Sequence, residues 1–341
     1  MKKRIVIATH IFIESFSQAL RDYLLREKNE VLFIGQPLFG NPFSWTIDAI
    51  DTFWQVIKTG KKYDIYVGVN NLNTFIGLQL RRLGVVRKTI YSSVDYAQER
   101  FSNKFLNNLY HWLDYYCLKN ADIVWNSSPA MVAEREKRGV EKKYRSKQVS
   151  VSDGTDPVKQ IPFQKRNRYE IVFVGHFIEG MGLEMLIEVF PEIKKQIPEA
   201  KLLMIGGGPI EKKLKGLAEN QKDIEFTGII SNLKDVYLKI TKSMIGVAPY
   251  EMNKYTQNTD PGKIKLYLAC GLPIVMTRVP LVANLIDKSK CGIVLEAGNR
   301  KAFISSVVKL LKNEKLLKQY VENSKPIAKE YLWSNIFKKV I

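Results

Sequence analysis

Cysteine is scarce: three residues among 341, Cys117, Cys270 and Cys291, lie far apart and form no C-x-x-C pair. That excludes a disulfide framework and a thiolate metal site as organising devices, and a reducing compartment is expected. No apolar run reaches the ~20 residues a membrane-spanning helix requires. The basic start Met1-Lys2-Lys3-Arg4 and the apolar IVIATHIFI after it imitate a signal peptide. Thr9, His10 and Glu14 interrupt that run and no small-residue cleavage site follows, so it reads as a buried first strand. Acidic residues are in deficit, 34 against 53 Lys and Arg, for a net charge of +19. Such an excess draws anionic partners. The charge is diffuse, with 25 basic and 16 acidic residues in 1–165, and no recognition motif accompanies it, so nucleic acid is not expected as a partner. The densest local cluster, Arg135 to Lys147, has seven basic and two acidic residues; it reads as a solvated loop, with a surface touching membrane phosphates as the alternative.

The hydrophobic share of 45% and charged share of 26% are those of an ordinary globular chain, and the length suggests two domains of about 170 residues. Short apolar runs alternate with longer amphipathic stretches, the signature of strand-helix-strand units on a parallel sheet. Strands are expected at 4–9, 30–35, 64–69, 87–92, 122–126 and 147–151, with helices near 14–28, 46–58, 74–83, 104–119 and 129–138. The second half repeats the plan with strands at 171–175, 201–206, 224–227, 244–248, 273–277 and 291–295. The expected fold class is α/β, two doubly wound Rossmann-like domains facing a central cleft. The boundaries read as a first domain at 1–152, a linker at 153–169, a second domain at 170–325 and a final helix at 326–341 returning to the first domain. Ligands of open α/β sheets bind at the carboxyl ends of the strands, so the site is expected between the halves.

Two glycine-bearing turns follow strands of the second half: Gly175-His176-Phe177-Ile178-Glu179-Gly180-Met181-Gly182 and Gly206-Gly207-Gly208-Pro209. Turns of this kind aim backbone N–H groups and a helix N-terminus at a phosphate, although each is equally what a plain tight turn requires. Neither is a G-x-G-x-x-G after the first strand or a G-x-x-x-x-G-K-[ST] loop, so nicotinamide-dinucleotide and P-loop readings lose their support. In 258–275, Asp260 is expected to cap a helix whose first residue is Pro261, and Lys263 falls in its first turn. A lysine there opposes the helix dipole, which a bound phosphate would explain; a plain surface lysine is the alternative.

In the first half, Thr9-His10, Asn70-Asn71 and Ser92-Ser93-Val94-Asp95-Tyr96 lie at strand ends. His10 is the one histidine of this half at such an end, whereas His111, among Leu109, Trp112 and Leu113, reads as packed. The stripe Phe101, Phe105, Leu109, Trp112, Leu113 and Tyr116 reads chiefly as core packing, with an aromatic surface for a lipid-linked ligand as the alternative.

The run from Ile171 to Glu296 resembles the carboxyl-terminal half of the GT-B glycosyltransferases, most closely the large retaining family 4. The matching pieces are IVFVGHFIEGMGLEMLIEVFPEIKKQIPEAKLLMIGGGPIEKKLKGLA, IEFTG, VAPYE, KIKLYLACGLPIVMT and CGIVLE, in that order, with Asp153-Gly154-Thr155-Asp156 where such enzymes usually carry Asn-Gly-Val-Asp. The resemblance implies transfer of a sugar from a nucleotide-diphosphate donor held by the second domain to an acceptor held by the first. By the same resemblance Gly175, His176 and Phe177 would approach the diphosphate and Gly206, Gly208 and Pro209 the nucleotide. Pro249, Tyr250 and Glu251 would line the base and sugar region, and Asp260, Pro261, Gly262, Lys263 and Ile264 would meet the sugar and phosphates. As strand-end residues facing the cleft, His10, Ser93 and Tyr96 are expected to bind the acceptor, with a structural turn residue as the alternative for His10. Asp95 is expected to bind the acceptor or accept its proton, since similar enzymes often have a His-Asp pair hereabouts, with a helix cap or loop salt bridge as the alternative. Trp333 would anchor the final helix in its return.

The sequence departs from the family pattern at four positions. The usual arginine after the first glycine and the lysine five residues later are His176 and Met181, and the paired glutamates are Asn258 and Leu266. Lys263 and Asp260 are then expected to supply the missing cation and carboxylate. No D-x-D triplet occurs, so no metal and no cofactor is expected beyond the donor itself. The expected activity is a metal-independent, retaining transfer to a glycan or lipid-linked acceptor by a cytoplasmic chain touching the anionic inner face of a membrane. A GT-B nucleotide-sugar epimerase and a catalytically silent GT-B subunit are the alternatives.

Overall fold

The computed structural model describes residues 2–10, 15–35, 42–253 and 256–341. The first half forms β1 (Arg4–Thr9), α1 (Ser15–Arg26), β2 (Glu30–Gly35), α2 (Pro42–Lys58), β3 (Tyr63–Val69), α3 (Asn70–Arg82), β4 (Val86–Ser93), α4 (Lys104–Asn120), β5 (Ile123–Asn126), α5 (Ala130–Lys137) and β6 (Gln148–Ser150). The second forms β7 (Glu170–Val174), α6 (Leu183–Gln196), β8 (Lys201–Ile205), α7 (Glu211–Leu217), β9 (Ile224–Gly228), α8 (Leu233–Lys242), β10 (Ile245–Ala248), α9 (Gly262–Ala269), β11 (Ile274–Thr277), α10 (Val282–Ser289), β12 (Gly292–Leu295), α11 (Arg300–Lys312), α12 (Glu314–Glu330) and α13 (Trp333–Val340). Two compact units result, Met1–Asp153 with Ile336–Ile341, and Gly154–Asn335.

Each unit is built on a six-stranded parallel sheet, ordered β2-β1-β3-β4-β5-β6 in the first and β12-β11-β10-β7-β8-β9 in the second. Parallel strands covered on both faces read as unbroken apolar runs, and Ile5 to Ala8 of β1 and Ile171 to Phe173 of β7 are fully buried. The strand order reverses between β1 and β3, and again between β7 and β10. At such a switch point the two flanking connections leave in opposite directions and open a crevice at the carboxyl ends. In the second unit the segments beside that crevice start at Gly175 and Pro249.

Several elements differ from expectation. α3 begins at Asn70 rather than at 74, directly after Val69 of β3. Asn70 makes the turn at φ +67, a left-handed conformation that asparagine tolerates. The aromatic stripe of α4 is not core: Phe105, Leu109 and Trp112 are 74%, 47% and 55% exposed, while His111, Asp114, Cys117 and Leu118 face inward. Arg135, read as part of a solvated cluster, is wholly buried. Among its neighbours Lys137 pairs with Glu134, Lys143 with Glu141 and Arg145 with Glu136, so most of the local charge is cancelled. Residues from Gly154 onward pack with the second unit, where Arg166 donates to the Gly271 carbonyl at 2.8 Å. At the C-terminus the N–H of the buried Trp333 donates to the Thr155 carbonyl at 3.1 Å. Phe337 packs within the first unit against Phe16, with ring centroids 5.6 Å apart.

Candidate active site

The two glycine turns of the second unit rest on each other. Gly206 stands at φ +138, and a Cβ there would lie 1.9 Å from the Gly175 carbonyl oxygen, so only glycine fits. The Gly175 N–H donates to the Ile205 carbonyl at 2.9 Å and the Phe177 N–H to the Gly207 carbonyl at 2.9 Å. Phe177, expected at the diphosphate, has its side chain in the core against Phe173 and Phe226 and its N–H engaged by Gly207. His176 and Pro209 are exposed beside it, and Gly208 lies against the Phe177 carbonyl.

Lys263 reaches this turn from α9. Its Nζ lies 3.6 Å from Met181 Sδ, 4.0 Å from the Phe173 ring centroid and 5.0 Å from that of Tyr250. A Cβ on Gly175 would meet Lys263 Cε and Nζ at 3.1 Å, so the glycine leaves the room the amine fills. Among the described residues Lys263 has no carboxylate partner. Burial among two aromatic rings and a thioether penalises the charged form and pulls its pKa from the usual 10.5 down to about 7. Ring faces offset part of that penalty, and the first turn of α9, where the Ile264 N–H is taken by the Pro261 carbonyl at 3.2 Å, adds its positive end. The cation is thus adjacent to position 181, where the family pattern carries its lysine. An electropositive recess with no internal anion can hold an external one.

Asp260 behaves otherwise than expected. The residue preceding α9 is Pro261, whose side chain cannot cap, and the helix starts at Gly262. The Asp260 carboxylate, one residue too far out to cap, instead takes an ion pair from the fully buried Lys265. A lysine between Ile264 and Leu266 in an apolar helix is the signal in the sequence that marks Lys265. Ile264 is fully buried core and Pro261 is buried. Leu266 packs against the same core where the family has a carboxylate. The side chain of Asn258 lies outside the described residues. Tyr250 is buried with its carbonyl bonded by Thr277 Oγ1 at 2.7 Å, and Glu251 is exposed.

In the first unit, His10 is buried at the end of β1. Asn73 Nδ2 donates to the Val69 carbonyl at 2.9 Å and approaches His10 Nδ1 at 2.6 Å. Nδ1 therefore accepts, the proton sits on Nε2, and Nε2 has no partner among the described residues. Burial lowers the His10 pKa, with Asp48 opposing it, so the ring is neutral and offers an N–H rather than a base. Asp95 is exposed and paired with Arg100. Ser93 and Tyr96 meet around Arg135: its Nη2 donates to Ser93 Oγ at 2.9 Å, and its guanidinium lies 5.0 Å from the Tyr96 ring. Arg135 also grips Asp114 through Nε at 2.9 Å and Nη2 at 2.8 Å, and Asn126 Oδ1 at 2.6 Å, while Tyr91 donates to Asp114 at 2.6 Å. Tyr96 contacts His111 Nδ1 at 3.3 Å, and burial pushes its phenol up to about 12. This node ties the ends of β4 and β5 to α4 and α5. Arg135 and Asp114, 21 positions apart, carried no sequence signal of pairing.

Residues 168–313 match the family model described as Glycosyl transferases group 1. An uncharacterized glycosyltransferase of Methanocaldococcus jannaschii is 23% identical over 305 residues, 84% of this chain and 76% of its own. A GDP-mannose-dependent phosphatidylinositol monomannoside mannosyltransferase of Mycolicibacterium smegmatis is 25% identical over 149 residues, 42% of this chain and 39% of its own. The structure of Anabaena HepE in complex with UDP-glucose superposes with a TM-score of 0.73 at 12% identity, covering 99% of this chain and 98% of that one. Paired parallel sheets of this kind define the GT-B architecture. Over residues 168–313 the chain is thus similar to the group 1 glycosyltransferases, and its two units share the GT-B fold.

Proposed function

We propose that the chain transfers a glycosyl unit from a nucleotide-diphosphate sugar to a glycan or lipid-linked acceptor, without a metal and with retention at the anomeric carbon. The observation that carries this reading is the Lys263 amine, held without a carboxylate against the Gly175 turn at 3.6 Å from Met181. In the transfer the bond between sugar C1 and the terminal phosphate oxygen breaks and its electron pair leaves with the nucleotide diphosphate. Lys263 and the first-turn N–H groups of α9 stabilise the charge that develops. The acceptor oxygen bonds to C1, and its proton passes to the departing phosphate. Retention is favoured over inversion because Asp95, the first candidate for an inverting base, is tied to Arg100. His10 Nε2–H is suited to hold an acceptor oxygen. A lipid-linked acceptor at the inner face of a membrane is supported by the +19 charge, by the exposed apolar side of α4 and by the lipid substrate in the mycobacterial relative's name.

A second reading, a catalytically silent nucleotide-binding subunit, is favoured by His176, Met181 and Leu266 at positions where the family carries charge. Calorimetry with UDP-, GDP-, ADP- and dTDP-sugars, with nucleotide release followed in parallel, separates the two. Binding of one donor, lost in Lys263→Met and accompanied by slow release, supports the transferase; binding without any release supports the silent subunit; no binding refutes both.

A further inference from the structure

We propose that a hollow between α4 and the turn after α5 receives the phosphate of an anionic lipid headgroup, with the exposed apolar side of α4 resting on the surrounding bilayer. The inference rests on the peripheral membrane contact proposed above and names its site. The hollow holds about 210 Å³, lined by the rings of Tyr96, His111, Trp112 and Tyr115 together with Asp114 and Arg138. That volume is more than ten times the ~15 Å³ a single water needs.

The charges around it are balanced except for one. The Asp114 carboxylate is occupied by Arg135 and Tyr91. Glu141 is bonded by Lys143 at 3.3 Å and by Tyr115 at 3.1 Å. Each ring nitrogen of His111 already has a partner, Tyr96 at 3.3 Å and the Gln98 carbonyl at 3.0 Å. Arg138 is exposed and has no ion-pair partner among the described residues. A planar guanidinium left over beside an aromatic-walled hollow matches a phosphate diester, which it can bind through two N–H groups.

Trp112 belongs both to the hollow and to the exposed side of α4, which continues through Leu109 and Phe105. A free phosphate compound has no use for that apolar border, whereas a lipid places its headgroup and its glycerol region at just this boundary, where tryptophan also prefers to sit. The net charge of +19 favours an anionic over a zwitterionic surface.

The test is co-sedimentation of the full chain with vesicles of phosphatidylcholine alone or mixed with phosphatidylglycerol. The expected result is binding to the anionic vesicles, weakened about fivefold by Arg138→Gln. Trp112→Ala weakens it as well, and Lys301→Gln in the second unit leaves it nearly unchanged. Equal binding by wild type, Arg138→Gln and Trp112→Ala overturns the proposal. So does Arg138-dependent binding of soluble glycerol 3-phosphate by a chain that fails to sediment with the anionic vesicles, since the source is then a free phosphate. Donor calorimetry on the same variants should match wild type, so a failed headgroup site and a failed donor site give different results.

Discussion

If the donor diphosphate binds against Lys263 as proposed, its binding depends on pH in a direction and size that can be worked out. In the empty site burial holds the amine at about 7, so it is half protonated at neutral pH. A diphosphate against it favours the charged form and raises the pKa in the complex. Between those two values each binding event takes up a proton. For an empty-site pKa near 7, uptake is about 0.1 proton at pH 6, about 0.5 at pH 7 and about 0.9 at pH 8, and the apparent affinity falls about tenfold from pH 6 to pH 8. Calorimetry in buffers of different ionisation enthalpy reads the uptake directly. The donor's phosphates are both diesters and do not titrate here. A flat affinity with no proton uptake from pH 6 to pH 8 would refute the assignment. The same group has a signature in stability. Its folded pKa is depressed, so between about 7 and the unfolded value of 10.5 the unfolded chain carries a proton the folded chain lacks, and stability rises with pH across that window. Lys263→Met should therefore lose donor affinity while gaining roughly 2 kcal/mol at pH 7, a discounted share of the full linkage because the amine keeps some solvent contact. That gain should shrink toward pH 10, and thermal melts across the range would expose its absence.

Four other outcomes are expected. Met181→Lys combined with Lys263→Met moves the amine to the neighbouring side chain and should recover most of the donor affinity lost in Lys263→Met, read by the same calorimetry. Gly206→Ala drives a methyl into the Gly175 carbonyl and should cost at least about 2 kcal/mol in denaturant unfolding, with donor affinity reduced. Arg135→Met strands the Asp114 carboxylate in the first unit's interior and should cost about 3–5 kcal/mol, much of it recovered by adding Asp114→Leu; a single variant as stable as wild type would contradict the buried pair. For His10, glutamine keeps an N–H near the position of Nε2 and should retain acceptor KM, whereas alanine should raise KM with little change in donor affinity, measured once an acceptor is in hand.

The strands were legible because parallel sheets buried on both faces need unbroken apolar runs, and each such run in the sequence became one of β1 to β12. Lys263 was legible for a different reason, a local conflict between a cation and a helix N-terminus. What failed depended on distant partners. Arg135 looked like its exposed neighbours because Asp114, which draws it inside, sits on another helix. Asp260 looked like a cap because the pattern of Asp then Pro fits one, but Lys265 competes for the same carboxylate and wins in a dry setting. The α4 stripe had helical spacing, and spacing says which residues share a face without saying which face is covered.

At the proposed phosphate site, the backbone contact between Gly206 and Gly175 separates two properties that usually travel together. The outline of the recess is fixed by main-chain atoms that touch without any side chain between them, while its charge arrives on Lys263 from a later segment. Shape and potential can therefore be altered one at a time. The amine at 263 can be weakened or replaced while the main-chain contact beside it stays as it is.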